Sequence, residues 1–138
     1  MVLFVAALAL ACTPVLEISV EHGAPVRLPL VSAARFSVRY WHSMYDVPVV
    51  ETFVVDGAHI RLTHVRSPSA AALEYLGIDG PVDTDIPLAR AFDTIAFRVA
   101  TKQAQVLTIG EHERSFRDFG EAGARVVFTP TSDCATTR

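Results

Sequence analysis

The sequence predicts an all-β fold: a single small antiparallel β-sandwich or partly open barrel of about seven or eight strands, with at most one short helix. Three observations lead there. Short apolar or alternating runs recur along the chain, each bounded by Gly, Pro or Asp, which is how strands and turns punctuate a sequence. Neither a long helical period nor an internal repeat appears, which argues against a doubly wound α/β enzyme. With 138 residues, 51% of them hydrophobic, the chain has the size of one domain and the apolar material for its own core.

The first segment does not belong to that strand pattern. Met1 to Ala11, MVLFVAALALA, carries no polar side chain. It falls short of the roughly 20 residues that a membrane-spanning helix needs and matches the apolar region of an export signal. No Lys or Arg precedes Arg27, a departure from the positively charged start of such signals. Residues 1–12 are accordingly read as a signal-like leader or anchor, 13–130 as one β domain and 131–138 as a polar C-terminal tail. Cys12 follows Leu8-Ala9-Leu10-Ala11, a loose likeness of the small-residue box before a lipid-modified cysteine. Lipidation and plain membership of the leader are the two readings of Cys12. Cys134 can pair only with Cys12, which export would remove or leave at the new terminus, so no structural disulfide is expected.

Candidate strands follow at Val15 to Glu21, Val26 to Leu30, Arg35 to Trp41, Val49 to Asp56, His59 to Arg66, Thr94 to Ala100, Gln105 to Ile109 and Ala124 to Thr129. Ser69 to Leu76 reads as a short helix. Gly77 to Pro87, rich in Gly, Pro and Asp, reads as a loop of a length at which loops become functional or mobile. The balance of 12 basic and 15 acidic residues lacks the basic excess of nucleic-acid binders. The arginines are scattered singly, as on a solvated surface, and form no polybasic membrane patch.

The middle of the chain carries a register. Asp56-Gly57 is a strong hairpin signal, because a two-residue type I′ turn needs positive φ at both central positions and Gly accepts it without strain, and it pairs Val55 with Ala58. Placing the turn there sets Phe53 opposite Ile60, Glu51 opposite Leu62 and Val49 opposite His64, with Val55, Phe53, Ile60 and Leu62 on one apolar face. The preceding strand lays Phe36, Val38 and Tyr40 on the same side if Tyr40 opposes Phe53, which puts His42 opposite Glu51. His42, Glu51 and His64 then point the same way at one polar end of a three-stranded meander. Trp41 falls on the opposite face, either covered by a second sheet or available to a partner.

Two imidazoles and a carboxylate suit a metal such as zinc, and a Glu beside a His also suits acid and base work. The structural alternative is a half-buried Glu51 satisfied by His42, Ser43 or backbone N–H groups at the rim of the core. Ser43 lacks the nucleophile elbow of hydrolases and is read as the start of the turn Met44 to Val47. His112 lies in the charged stretch GEHERSFRDFGE, read as an exposed hairpin end. No phosphate-cradling glycine loop or CxxC pair is present.

The segment RYWHSMYDVPVVETFVVDGAHIRL resembles Tyr-x-His-Ser, then Pro-Val-x-Glu-x-Phe, then a hydrophobic strand and a Gly turn, the pattern that marks the family called domain of unknown function 1850. Tyr40, His42, Ser43, Pro48, Val49, Glu51 and Phe53 match in type and spacing. LEISVEHGAPVRLPLVSAARFSVRY resembles the family's first strands, and AQVLTIGEHERSF with GARVVFTP its last. Where the family has a glycine-rich Ser-x-Gly-Ala-Gly segment, this chain reads SPSAAALEY.

The resemblance implies a short exported protein associated with TAXI-type TRAP transporters, which import small organic anions. The function expected is that of a non-catalytic extracytoplasmic accessory or binding domain, without a cofactor. Its partners would be a TRAP-type permease or its solute-binding protein, and the membrane through the leader or a lipid on Cys12. The alternative is a small metal- or ligand-binding protein using His42, Glu51 and His64. An enzyme ranks last, because no nucleophile-and-base arrangement stands out.

Overall fold

The computed structural model describes residues 11–31 and 33–135. In chain order the elements are β1 (Ala11–Val20), β2 (Val26–Pro29), β3 (Arg35–His42), β4 (Val47–Asp56), β5 (His59–Arg66), α1 (Ala70–Tyr75), β6 (Ile86–Phe92), β7 (Ile95–Arg98), β8 (Val106–Ile109), β9 (His112–Ser115), a 3-10 turn (Phe116–Asp118) and β10 (Arg125–Ala135). The strands form two antiparallel sheets, of order β2-β1-β10-β7 and β6-β5-β4-β3-β8-β9. This is an all-β sandwich, as expected; among the described residues it has one short α-helix and ten strands, where about seven or eight strands were predicted.

The two strands missing from the sequence reading are β6 and β9, and both are edges of the six-stranded sheet. Most of their residues are exposed, so neither shows the alternation that marks a half-buried strand. Ile86 and Pro87, read as the end of a loop, open β6 instead.

Alternating positions supply the core. Leu16, Ile18, Val126 and Phe128 from the smaller sheet join Phe36, Val38, Phe53 and Ile60 from the larger one, all at most 1% exposed. Phe36 stacks on Phe53 with ring centroids 5.0 Å apart and meets Phe128 edge-on at 5.9 Å, so one aromatic ring binds the two sheets together.

The chain's first and last described strands are neighbours. β1 and β10 pair from Ala11↔Ala135 to Val20↔Val126, and Cys12 is directly opposite Cys134. The two form a disulfide, contrary to the expectation of none. Assigning Cys12 to the leader concealed the pairing. Ala11 and Cys12 belong to β1, and residues 131–135, read as tail, belong to β10. Residues 1–10 of the expected leader lie outside the described residues. Among those described, no helix is long and apolar enough to cross a membrane.

Candidate functional site

The residues singled out in the sequence lie on the β3–β4–β5 meander, and its turns decide where they point. The β3–β4 loop is only Ser43 to Asp46. His42 pairs with Val47, the Asp46 N–H donates to the His42 carbonyl at 2.8 Å, and Asp46 takes a positive φ of 52°. Asp tolerates this left-handed conformation better than most residues. The Trp41 indole N–H donates to Asp46 Oδ1 at 2.7 Å and fixes the loop from the outer face. Pairing His42 with Glu51 would have left a far longer loop, and the tight turn extends the ladder instead. Phe36 therefore opposes Phe53, Val38 opposes Glu51 and Tyr40 opposes Val49.

The β4–β5 turn is shifted as well. Asp56 pairs with His59, which leaves Gly57 and Ala58 as the central residues, and Gly57 alone of these has positive φ (61°). That is the signature of a type II′ hairpin with Gly in first place. Val55 opposes Ile60 and Phe53 opposes Leu62, so the predicted apolar face survives. A bulge then intervenes between Thr52 and Phe53 of β4, where Thr63 is the extra residue on β5. Beyond it Val65, fully buried, opposes Glu51, and His64 opposes Thr52. The inserted residue turns His64 to the outer face, where its Nδ1 lies 3.1 Å from Thr63 Oγ1.

The expected convergence of His42, Glu51 and His64 is thus not present. His42 and Glu51 share the inner face but lie four strand residues apart, roughly 13 Å along the sheet, because His42 is four residues beyond Val38, the partner of Glu51. Among the described residues no three His, Cys, Asp or Glu side chains group closely enough to hold a metal ion.

Two smaller clusters take its place. In the first, the Tyr40 hydroxyl donates to Glu51 Oε1 at 3.2 Å. Burial pushes the Glu51 carboxyl above its ordinary range, while the Tyr40 hydrogen bond and the Arg90 guanidinium of β6 pull it back in part. Burial, and then the Glu51 charge and hydrogen bond, push the Tyr40 phenol well up, so it stays protonated as the donor.

In the second cluster, His42 is buried beneath two tyrosines. Its ring lies 5.1 Å from that of Tyr45 in the β3–β4 loop and 5.0 Å, edge-on, from that of Tyr75 at the end of α1. His42 Nδ1 is enclosed and has no hydrogen-bond partner among the described residues.

Sequence reasoning missed the residue that holds this arrangement together. Ser67, buried just past β5, donates from Oγ to the Pro48 carbonyl at 3.2 Å and accepts from the Ser69 N–H at 3.3 Å. Pro48 has no N–H for the ladder, and its carbonyl is used here. Ser69 caps α1 by accepting from the Ala72 N–H. The chain Pro48–Ser67–Ser69 thus carries α1 to the meander and brings Tyr75 to His42. The Ser67-Pro68-Ser69 sequence ahead of a helical run was the available signal.

No protein-family model, curated protein or solved structure matches this chain. The resemblance read from the meander therefore rests on the motif residues themselves. Of those, Tyr40 and Glu51 bond to each other, His42 and Val49 are buried, Phe53 is core, Pro48 anchors α1 and Ser43 is an exposed turn residue.

Proposed function

We propose that this chain is a non-catalytic extracytoplasmic accessory or binding domain that works with a TRAP-type (TAXI) solute transport system. One observation carries the reading. Five of the motif residues, Tyr40, His42, Val49, Glu51 and Phe53, face inward and brace a hairpin, and apolar and aromatic side chains at its tip and on the adjoining α1 are exposed to solvent. Met44 is 63% exposed and Tyr75 60%, and Tyr45 is exposed as well. Tyr45 and Tyr75 meet edge-on with ring centroids 6.2 Å apart, so residues from the loop and from α1 form one surface. Exposed aromatic clusters of this kind suit protein partners better than solvent.

The Cys12–Cys134 disulfide supports an oxidising, extracytoplasmic compartment. It also occupies the thiol that lipidation of Cys12 would need, so in this reading the apolar leader alone keeps the domain at the membrane. The partner is the permease or its solute-binding protein. Co-purification with the permease tests this: Met44→Asp, at a largely exposed loop position, should abolish capture while the thermal midpoint stays unchanged. Undiminished solute uptake in a strain lacking this protein would defeat the proposal.

A second reading, a small ligand-binding protein, draws on the unpartnered Nδ1 of His42. It includes neither His64 nor Glu51, which the register sets apart from His42. Calorimetric titration of wild type and His42→Phe with zinc tests it, and equal responses would remove it.

A further inference from the structure

A groove of about 480 Å³ opens between the edge strands β2 and β9, away from the hairpin. Register defines its walls. On the inner face of the larger sheet, Val38 opposes Leu107 and Leu107 opposes Arg114, while Ile109 opposes His112. Arg114 and His112 therefore continue, on the outermost strand, the row that begins with core residues. The smaller sheet ends at β2 and leaves them exposed. Leu107 and Ile109 form an apolar floor, Leu28, Pro29 and Val31 an apolar wall, and His112 and Arg114 a basic rim. Glu113 borders the groove from the alternate side of β9, opposite Thr108 on the outer face. Val31 is 80% exposed at the mouth. Arg114 makes no side-chain hydrogen bond or ion pair among the described residues, whereas Arg27 and Arg61 both reach carboxylates.

We propose that this groove binds a small organic carboxylate with an apolar body. The body lies on Leu107, Ile109, Leu28 and Val31, and the carboxylate accepts hydrogen bonds from the Arg114 guanidinium with His112 beside it. An unpaired guanidinium at one end of an apolar trough is complementary to an amphiphilic anion: its planar fork matches a carboxylate, and the trough removes the rest of the molecule from water. The volume lies within the range of small-molecule sites, about 300–1,000 Å³. Arg114 is three strand spacings from Glu51, about 14 Å, so the basic rim is separate from the motif clusters and independent of the partner proposed above.

Calorimetric titration of the full-length chain with sodium decanoate, and with uncharged methyl decanoate as the comparison, tests the proposal. Decanoate should bind saturably and more tightly than the ester. Arg114→Gln should weaken decanoate about tenfold or more while leaving the ester unchanged. Val31→Asp, at an exposed position, should weaken both, and the thermal midpoints of both variants should match wild type. Absence of saturable binding below about 1 mM, equal affinity for the two probes, or an Arg114→Gln affinity within roughly twofold of wild type would each overturn it.

Discussion

Tyr40 and Glu51 are hydrogen-bonded without being register partners: the hydroxyl reaches Oε1 across 3.2 Å, although Tyr40 stands opposite Val49 and Glu51 opposite Val38. The contact is a diagonal one, within reach of a long aromatic side chain on a twisted sheet. It gives the half-buried carboxylate a donor from the same sheet face, the role first sought in His42.

Glu51 should make folding stability depend on pH in a definite direction. Below the ordinary glutamate value of 4.5 both folded and unfolded chains hold the proton. As pH rises past it the unfolded chain releases the proton first, because burial raises the folded value, and stability falls until the folded carboxyl has also ionised. Glu51→Gln should flatten this part of the profile. Urea unfolding of both proteins from pH 4 to pH 8 measures it, and parallel profiles would contradict the account.

Tyr40→Phe removes the donor and leaves the acceptor in place. The expected loss at neutral pH is about 1–3 kcal/mol, smaller at pH 4, where a protonated Glu51 no longer needs the bond as strongly. Denaturant midpoints at the two pH values supply the test.

His42 should behave in the opposite sense. A phenyl ring keeps the contacts with Tyr45 and Tyr75 and removes an enclosed nitrogen that has no partner. His42→Phe should therefore leave stability unchanged or raise it by up to about 1 kcal/mol. A stable variant that fails in solute transport would mean that the imidazole is kept for its chemistry and not for packing.

His64, turned outward by the bulge, should be expendable. His64→Ala is expected to change stability by no more than about 0.5 kcal/mol and to leave the Glu51-dependent pH profile intact. A large effect on either would place His64 with the inner-face residues after all.

Much of this was legible in the sequence, for a simple reason. The expected β3–β4 register differs from the observed one by four residues and the β4–β5 register by two, and even shifts preserve which side chains face the core. Phe36, Val38, Phe53, Ile60 and Leu62 were placed correctly although most of their partners were not. Loop closure sets register, and the four-residue loop through Asp46 has no signal as clear as a glycine. His64 failed because a bulge is an odd shift. Its trace was in the spacing of Ile60, Leu62 and Val65, where the period of two breaks at Thr63. β6 and β9 were hidden by being edges.

Replacing both Cys12 and Cys134 with Ser should lower stability by about 2–5 kcal/mol, since the bond closes a loop of sequence separation 122. Dithiothreitol should do the same to wild type and nothing to the double variant, as read from denaturant midpoints.

The same crosslink changes how the domain meets mechanical load. Because Cys12 and Cys134 are joined side by side at the two ends of the fold, tension applied between those ends runs through one covalent bond. The whole chain between them is bypassed. A domain tethered at one end and tugged at the other would keep its sheets, hairpin and groove unstrained until that single bond was reduced.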